Sequence, residues 1–297
     1  MNKKIIPQPI SKNDTIGIAA PASHFQMEKF EKGIKILESM GFNVLVPDEI
    51  FLKDDYCAGT DECRAGIVQD LFNNPEVKAI ICVRGGFGSI RALPFFQFDE
   101  IKKKPKRFFG FSDITSLLCN FYQKSEMVTF HGPVITQLAD ENEETIQFLY
   151  KMLTTNEFDI IYSHDTDVLC PGIVEGPIIG GNLTTLCHLV GTPFEPDLNN
   201  HILFIEDIGE AAYKIDRMLT QMKLAGCFKK IRGLLLGTFT DCGDEEMIFN
   251  IIKRIFKDQI PVLTGLNFGH GEINQCIPIG VHAKLDTYTK SVEFLTL

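Results

Sequence analysis

An apolar run gives way to a helix-like pattern at Phe108-Phe109-Gly110-Phe111-Ser112-Asp113-Ile114-Thr115, through a Gly-x-Ser step. A serine at the tip of a strand-to-helix turn is pushed out of the sheet. The peptide N–H groups of the next helix's first turn lie beside it and can stabilise an oxyanion. Only half of the G-x-S-x-G elbow is present, because Ile114 stands where the second glycine would be, and a Ser-Asp pair before a helix can equally be a plain cap. Two later segments bear on that choice. Ile202-Leu203-Phe204-Ile205-Glu206-Asp207 reads as a buried strand delivering a carboxylate at its end, and Phe268-Gly269-His270-Gly271 sets an imidazole between glycines. Ser112, Glu206 and His270 thus follow one another in the order nucleophile, acid, base. From that order a triad can be assembled, in which the serine attacks, the imidazole takes its proton and the carboxylate fixes the ring's tautomer. Read separately, the same residues are a capping Ser, a strand-end Glu in a surface ion pair and a loop His.

The elements that must hold these residues alternate. Strands are expected at 14–19, 42–46, 77–83 and 107–111, with helices at 26–40, at 61–71 and from Asp113 onward. This alternation predicts a parallel sheet covered on both faces. Sites in such sheets lie at the carboxyl ends of the strands, where both Arg84-Gly85-Gly86 and Ser112 fall. Between 154 and 180 the pattern weakens, with Pro171-Gly172 and Gly176-Pro177 as turn signals, and a domain boundary is expected there. Residues 1–160 would form a nucleophile-bearing α/β domain and residues 175–297 a second, smaller one carrying Glu206 and His270. In the second, strands are expected at Ile202, 231–236, 277–281 and 292–295, and helices at 211–224 and 245–256. With Ser112 on one domain and its partners on the other, the site is expected at the interdomain cleft.

The residues around all three positions resemble the LD-carboxypeptidase family, serine peptidases that include muramoyltetrapeptide carboxypeptidases and microcin C immunity peptidases. The resemblance runs along nearly the whole chain. Its pieces are Gly17-Ile18-Ala19-Ala20-Pro21-Ala22-Ser23, Arg84-Gly85-Gly86-Phe87-Gly88, Gly110-Phe111-Ser112-Asp113-Ile114-Thr115, His131-Gly132-Pro133, Gly180-Gly181-Asn182-Leu183, Glu206-Asp207 with Tyr213 and Asp216-Arg217-Met218-Leu219, and Gly269-His270-Gly271. It implies a flavodoxin- or amidotransferase-like first domain and a cytoplasmic homodimer. The implied activity is a Ser-Glu-His peptidase needing no metal or other cofactor, which releases a C-terminal D-amino acid from murein peptides in cell-wall recycling. It assigns the oxyanion to the backbone N–H groups of Gly86 and Asp113. Phe87 and Phe111 stand where the family usually carries Tyr, which keeps each ring and loses a hydroxyl.

Other chemistries find less support. The net charge of −10 argues against a nucleic-acid partner, since a phosphate-tracking surface needs clustered cations. The one dense basic run, Lys102-Lys103-Lys104-Pro105-Lys106-Arg107, reads as a solvated loop before a strand. Nine cysteines without a C-x-x-C pair read as reduced core residues of a cytoplasmic protein. Near the start, polar Ser11-Lys12-Asn13-Asp14 interrupts what would have to be the apolar core of a signal peptide, and no stretch has the length of a membrane span. The glycines at 85, 86 and 88 meet neither phosphate-binding spacing, and no H-E-x-x-H occurs. The acidic run Asp241 to Glu246 reads as a loop leading to a helix N-terminus. A carboxypeptidase must hold its substrate's terminal carboxylate, and Arg suits that task. Arg84 and Arg217 are the candidates, although Arg217 with its neighbour Asp216 could instead brace a helix. Three further readings share these residues: a peptidase acting on a microcin-type peptide–nucleotide conjugate, which a chain without Trp disfavours, a non-catalytic small-ligand-binding module, and an α/β-hydrolase esterase.

Overall fold

The computed structural model describes residues 4–140, 143–164, 168–257 and 259–295. Contacts divide the chain into two units, Met1–Glu157 with Gln275–Pro278, and Phe158–Asn274 with Ile279–Leu297.

The first unit runs β1 (Thr15–Ala19), α1 (Met27–Ser39), β2 (Asn43–Leu45), α2 (Asp61–Asn73), β3 (Val77–Cys82), α3 (Ser89–Ala92), α4 (Phe98–Lys103), β4 (Arg107–Gly110), α5 (Thr115–Lys124), β5 (Thr129–His131), α6 (Ile135–Leu138) and α7 (Glu143–Thr154). The second runs β6 (Ile161–Tyr162), β7 (Ile173–Asn182), α8 (Leu183–Leu189), β8 (Ile202–Ile208), α9 (Ala212–Ala225), β9 (Gly233–Thr240), α10 (Glu245–Phe256) and β10 (Val262–Leu263), and after the returning strand β11 (Ile277–Ile279) ends with β12 (His282–Asp286) and β13 (Ser291–Phe294).

The first sheet is ordered β11-β5-β4-β3-β1-β2, and β1 to β5 pair in parallel throughout. The order 2-1-3-4-5 is that of flavodoxin-like sheets, in agreement with the expected α/β class. Continuous apolar strands such as Ile80-Ile81-Cys82, with no exposed surface, are what a sheet buried on both faces requires. Phe108 and Phe121 pack edge to face at 5.0 Å, and Phe109 and Phe130 stack at 4.8 Å across β4 and β5. The basic run departs from the solvated loop expected of it. Lys102 and Lys103 end α4, but Lys106 and Arg107 are buried, Lys106 donating to the carbonyls of Leu71 and Asn74 and Arg107 to those of Gln8 and Met152. Burial, with Lys78 and Lys104 nearby, lowers the Lys106 pKa to about 8. These cations close the C-terminal end of α2 and tie down the chain termini of the unit, so they are structural.

The second sheet is mixed, ordered β10-β9-β8-β7-β12-β13-β6. Strand β7 pairs antiparallel with β12 over residues 173–177 and parallel with β8 over 178–182. Gly176-Pro177 therefore lies inside a ten-residue strand, not at the turn its composition suggested. Pro177 sits where the strand changes partners, and there a missing N–H costs no interior ladder bond. No described helix is long and apolar enough to cross a membrane.

Candidate active site

The first cluster lies within the first unit. Strand β4 ends at Gly110, and Ser112 opens a 3₁₀ turn, Ser112–Ile114, that leads into α5. Ser112 has φ 60°, a left-handed conformation that a non-glycine residue adopts only where its surroundings impose it. Its Oγ makes no hydrogen bond among the described residues and so caps nothing, which removes the plain-cap reading. Asp113 does the anchoring: its carboxylate accepts from Ser89 N at 2.9 Å, and Ser89 Oγ donates to the Asp113 carbonyl at 2.6 Å. The glycine loop after β3 is pressed against this turn. A Cβ on Gly85 would stand 2.8 Å from Ser112 Cβ and 3.2 Å from Asp113 N, so only a glycine can approach so closely. Gly86 has φ 104°, is exposed, and its N–H meets no acceptor among the described residues.

The second cluster lies within the second unit. Glu206, near the end of β8, is fully buried, and its Oε2 accepts from His270 Nδ1 at 2.6 Å. Its other oxygen, Oε1, is buried without a hydrogen bond among the described residues. Burial pushes the Glu206 carboxyl above the usual carboxylate range, and the His270 contact draws it partly back. With Nδ1–H committed to the carboxylate, Nε2 is the nitrogen left to accept a proton. His270, 16% exposed, sits on a loop laid along β9. Thr240 Oγ1 donates to the His270 carbonyl at 3.0 Å, Gly269 N donates to Asn274 Oδ1 at 3.0 Å, and Thr238 N donates to the Phe268 carbonyl at 3.1 Å. At Gly269, with φ 102°, a Cβ would lie 2.5 Å from Glu206 Oε2, so the loop reaches the carboxylate only because that atom is absent.

Ser112, Gly86 and Asp113 thus come together in one unit, and Glu206 and His270 in the other. The neighbouring Asp207 has a separate task. It accepts from Asn182 Nδ2, from Thr184 N and Oγ1 and from Ile208 N at 2.8–3.0 Å, fixing the start of α8. The two arginines differ. Arg84 donates to the His24 carbonyl at 3.1 Å and pairs with no carboxylate among the described residues. Arg217 lies over the exposed Tyr213 ring at 5.5 Å, while Asp216 pairs with Arg254 on α10, so of these two neighbours it is Asp216 that braces the helix. Phe87 is 43% exposed and meets Tyr56 edge to face, whereas Phe111 is buried against His131. Asp244 caps α10 through Glu246 N, as the acidic run suggested. Among the described residues, no group of three or more His, Cys, Asp or Glu could hold a metal ion. None of the nine cysteines is in a disulfide. Sequence reasoning missed Ser23 and Arg64, which hold the glycine loop, and Asn274, which holds the His270 loop. Only Ser23 lay in a segment already singled out, and none carries a spacing signature.

A flavodoxin-like parallel sheet bearing an elbow serine is followed along the chain by a mixed α/β unit with a buried carboxylate–imidazole pair, groups of the kind that serine hydrolases use. Residues 16–132 match the LD-carboxypeptidase N-terminal domain and residues 175–285 the LD-carboxypeptidase C-terminal domain. The chain belongs to the LD-carboxypeptidase family. It is 36% identical to the probable murein peptide carboxypeptidase of Bacillus subtilis, over 96% of this chain and 92% of that one. It is 29% identical to the microcin C7 self-immunity protein MccF of Escherichia coli, over 97% and 95% of the two chains. The crystal structure of muramoyltetrapeptide carboxypeptidase from Oxalobacter formigenes superposes with a TM-score of 0.83 at 31% identity, covering 94% of this chain and 97% of that one.

Proposed function

We propose that this carboxypeptidase hydrolyses an L,D-peptide bond and releases a C-terminal D-amino acid, D-alanine, from murein tetrapeptides. The observation that carries the reading is Ser112, held at φ 60° with a Cβ-free loop packed on it and its hydroxyl uncommitted. Ser112 Oγ attacks the scissile carbonyl carbon while His270 Nε2 takes its proton. Glu206 holds the imidazole by Nδ1 and stabilises its positive charge. The negative charge moves to the carbonyl oxygen, which the N–H groups of Gly86 and Asp113 receive. The C–N bond then breaks, the departing D-alanine amine takes the proton from His270, and an acyl-Ser112 ester remains. Water, deprotonated by the same imidazole, hydrolyses that ester and regenerates the serine. This assignment draws Ser112 from the domain of residues 1–160 and Glu206 and His270 from that of residues 175–297. Arg84 is the better anchor for the substrate carboxylate, because Arg217 is engaged with Tyr213. The same reading makes the protein a cytoplasmic homodimer with no cofactor and no nucleic-acid or membrane partner.

The likeness to the microcin C7 self-immunity protein supports a second reading, cleavage of a peptide–nucleotide conjugate. A chain without Trp offers a poorer stacking platform for a base, which favours the murein peptide. Incubating the protein with a murein tetrapeptide and assaying free D-alanine tests the first reading. Turnover of an aminoacyl sulfamoyl nucleoside in place of the tetrapeptide would establish the second, and tight binding with no turnover of either would leave a binding module.

A further inference from the structure

The Gly86 peptide is held from behind. Ser23, from the loop after β1, lies where a Gly86 Cβ would be, with its Oγ 2.4 Å and its Cβ 2.8 Å from that point. The same Oγ accepts from Phe87 N at 3.1 Å and stands 3.4 Å from the Phe87 carbonyl, and Ser23 N donates to the Gly85 carbonyl at 3.3 Å. One residue therefore holds both peptide groups that flank Gly86, its backbone N–H the Gly85–Gly86 peptide and its side chain the Gly86–Phe87 peptide, and its hydroxyl takes the Phe87 N–H out of competition. The exposed Gly86 keeps its N–H without an acceptor among the described residues. The far end of the loop is fixed separately by Arg64, which has no exposed surface: its guanidinium donates to the carbonyls of Gly59, Pro21 and Gly88 and pairs with Asp61. A loop rich in glycine has many accessible backbone conformations, so a donor that must meet an oxyanion at 2.7–3.1 Å needs such supports.

We infer that Ser23 is a positioning residue for catalysis, setting the orientation of the Gly86 N–H toward the oxyanion. The inference rests on the proposed function and deepens it. Ser23 touches neither substrate nor reacting atoms. Its loss weakens binding of the tetrahedral species and leaves binding of the planar ground state alone.

The test compares the wild-type protein with Ser23→Ala and Ser23→Thr, using murein tetrapeptide turnover, affinity for the product tripeptide, and affinity for a peptide boronic acid that bonds to Ser112 Oγ and projects a boron oxygen into the hole. Ser23→Ala is expected to lower kcat about tenfold and weaken the boronate by a similar factor, the effect of misaligning one oxyanion donor in part. KM, tripeptide affinity and the urea unfolding midpoint stay near wild type. Ser23→Thr, which keeps the oxygen, restores kcat and boronate affinity. Unchanged kcat and boronate affinity in Ser23→Ala overturn the inference, as does an equal loss in tripeptide and boronate affinity, which marks a merely structural role. Should Ser23→Ala fold poorly, Ser23→Thr decides alone: folded, it must keep kcat, and a folded but slow protein overturns the inference. If the wild-type protein releases no D-alanine, the proposed function fails first, and the boronate comparison then reports on the loop independently.

Discussion

Serine is poorly suited to the left-handed region, and Ser112 is held there at φ 60°. Glycine pays no such penalty. Ser112→Gly is therefore expected to unfold in urea with about 1 kcal/mol more stability than Ser112→Ala, while neither variant releases D-alanine. Equal stabilities would mean the turn is relaxed, and residual turnover in either would remove Ser112 as nucleophile. Glu206 makes a second demand. Glu206→Gln is expected to keep the fold and tripeptide binding while lowering kcat on the order of 10²–10⁴-fold, by analogy with other triads. If kcat stays near wild type, Glu206 is not the orienting acid. Neither neighbour then offers itself readily, since Asp207 is consumed by α8 and Glu210 pairs with Lys214 at 3.0 Å. The same variant carries a pH signature. Burial raises the native Glu206 pKa, so as pH climbs from about 4.3, the ordinary carboxyl value, the native state keeps a proton that the unfolded chain gives up. Wild-type stability falls through that window and levels off above the native pKa. The midpoint of Glu206→Gln relative to wild type should thus rise as the pH climbs above about 4, and a difference independent of pH would contradict the shift.

At the scale of elements, the glycine at 269 is as demanding as any side chain. Gly269→Ala drives a Cβ to 2.5 Å from Glu206 Oε2 at a φ of 102°, so it is expected to cost about 1–3 kcal/mol and to lower kcat with little change in KM. A variant with wild-type kcat would show that the His270 loop does not need this approach. Legibility in the sequence followed burial. Strands β1, β3, β4 and β8 are largely apolar runs, β1 stopping short of Pro21 and β3 of Arg84, β4 ending at Gly110 and β8 reaching Glu206, and their positions could be read within a residue or two. Helices α1, α2, α9 and α10 carry the apolar period. Strand β7 could not be read, because it serves two neighbours of opposite direction and contains Gly176-Pro177, whose composition imitates a turn. The residues of both clusters were legible because each is marked by glycines. Ser23, Arg64 and Asn274 were not, since they act on backbone groups of distant segments and any residue can supply a carbonyl.

For the whole protein, D-alanine release is expected to be indifferent to chelators. Among the described residues no cluster of ligands could hold a metal, and the proposed route moves protons through an imidazole alone. Loss of activity in EDTA, restored by zinc, would contradict the serine route. Of the densest basic run, Lys106 and Arg107 are buried in a structural role, whereas Lys103 and Lys104 stay exposed.

The return of Gln275–Pro278 to the first unit means that the polypeptide passes between the units three times, not once. Strand β11 lies beside β5 as the outer member of the first sheet. A fragment cut after residue 157 would therefore be missing a stave. Its β5 would be left as a bare edge, carrying Phe130, open to pairing with another copy. Such a fragment is expected to elute as aggregate in size-exclusion chromatography, whereas the same fragment with residues 275–279 joined through a flexible linker should elute as a discrete species. Evolution could not shuffle these halves as beads on a string: whatever duplicates or trades one of them must carry a stitch from the other.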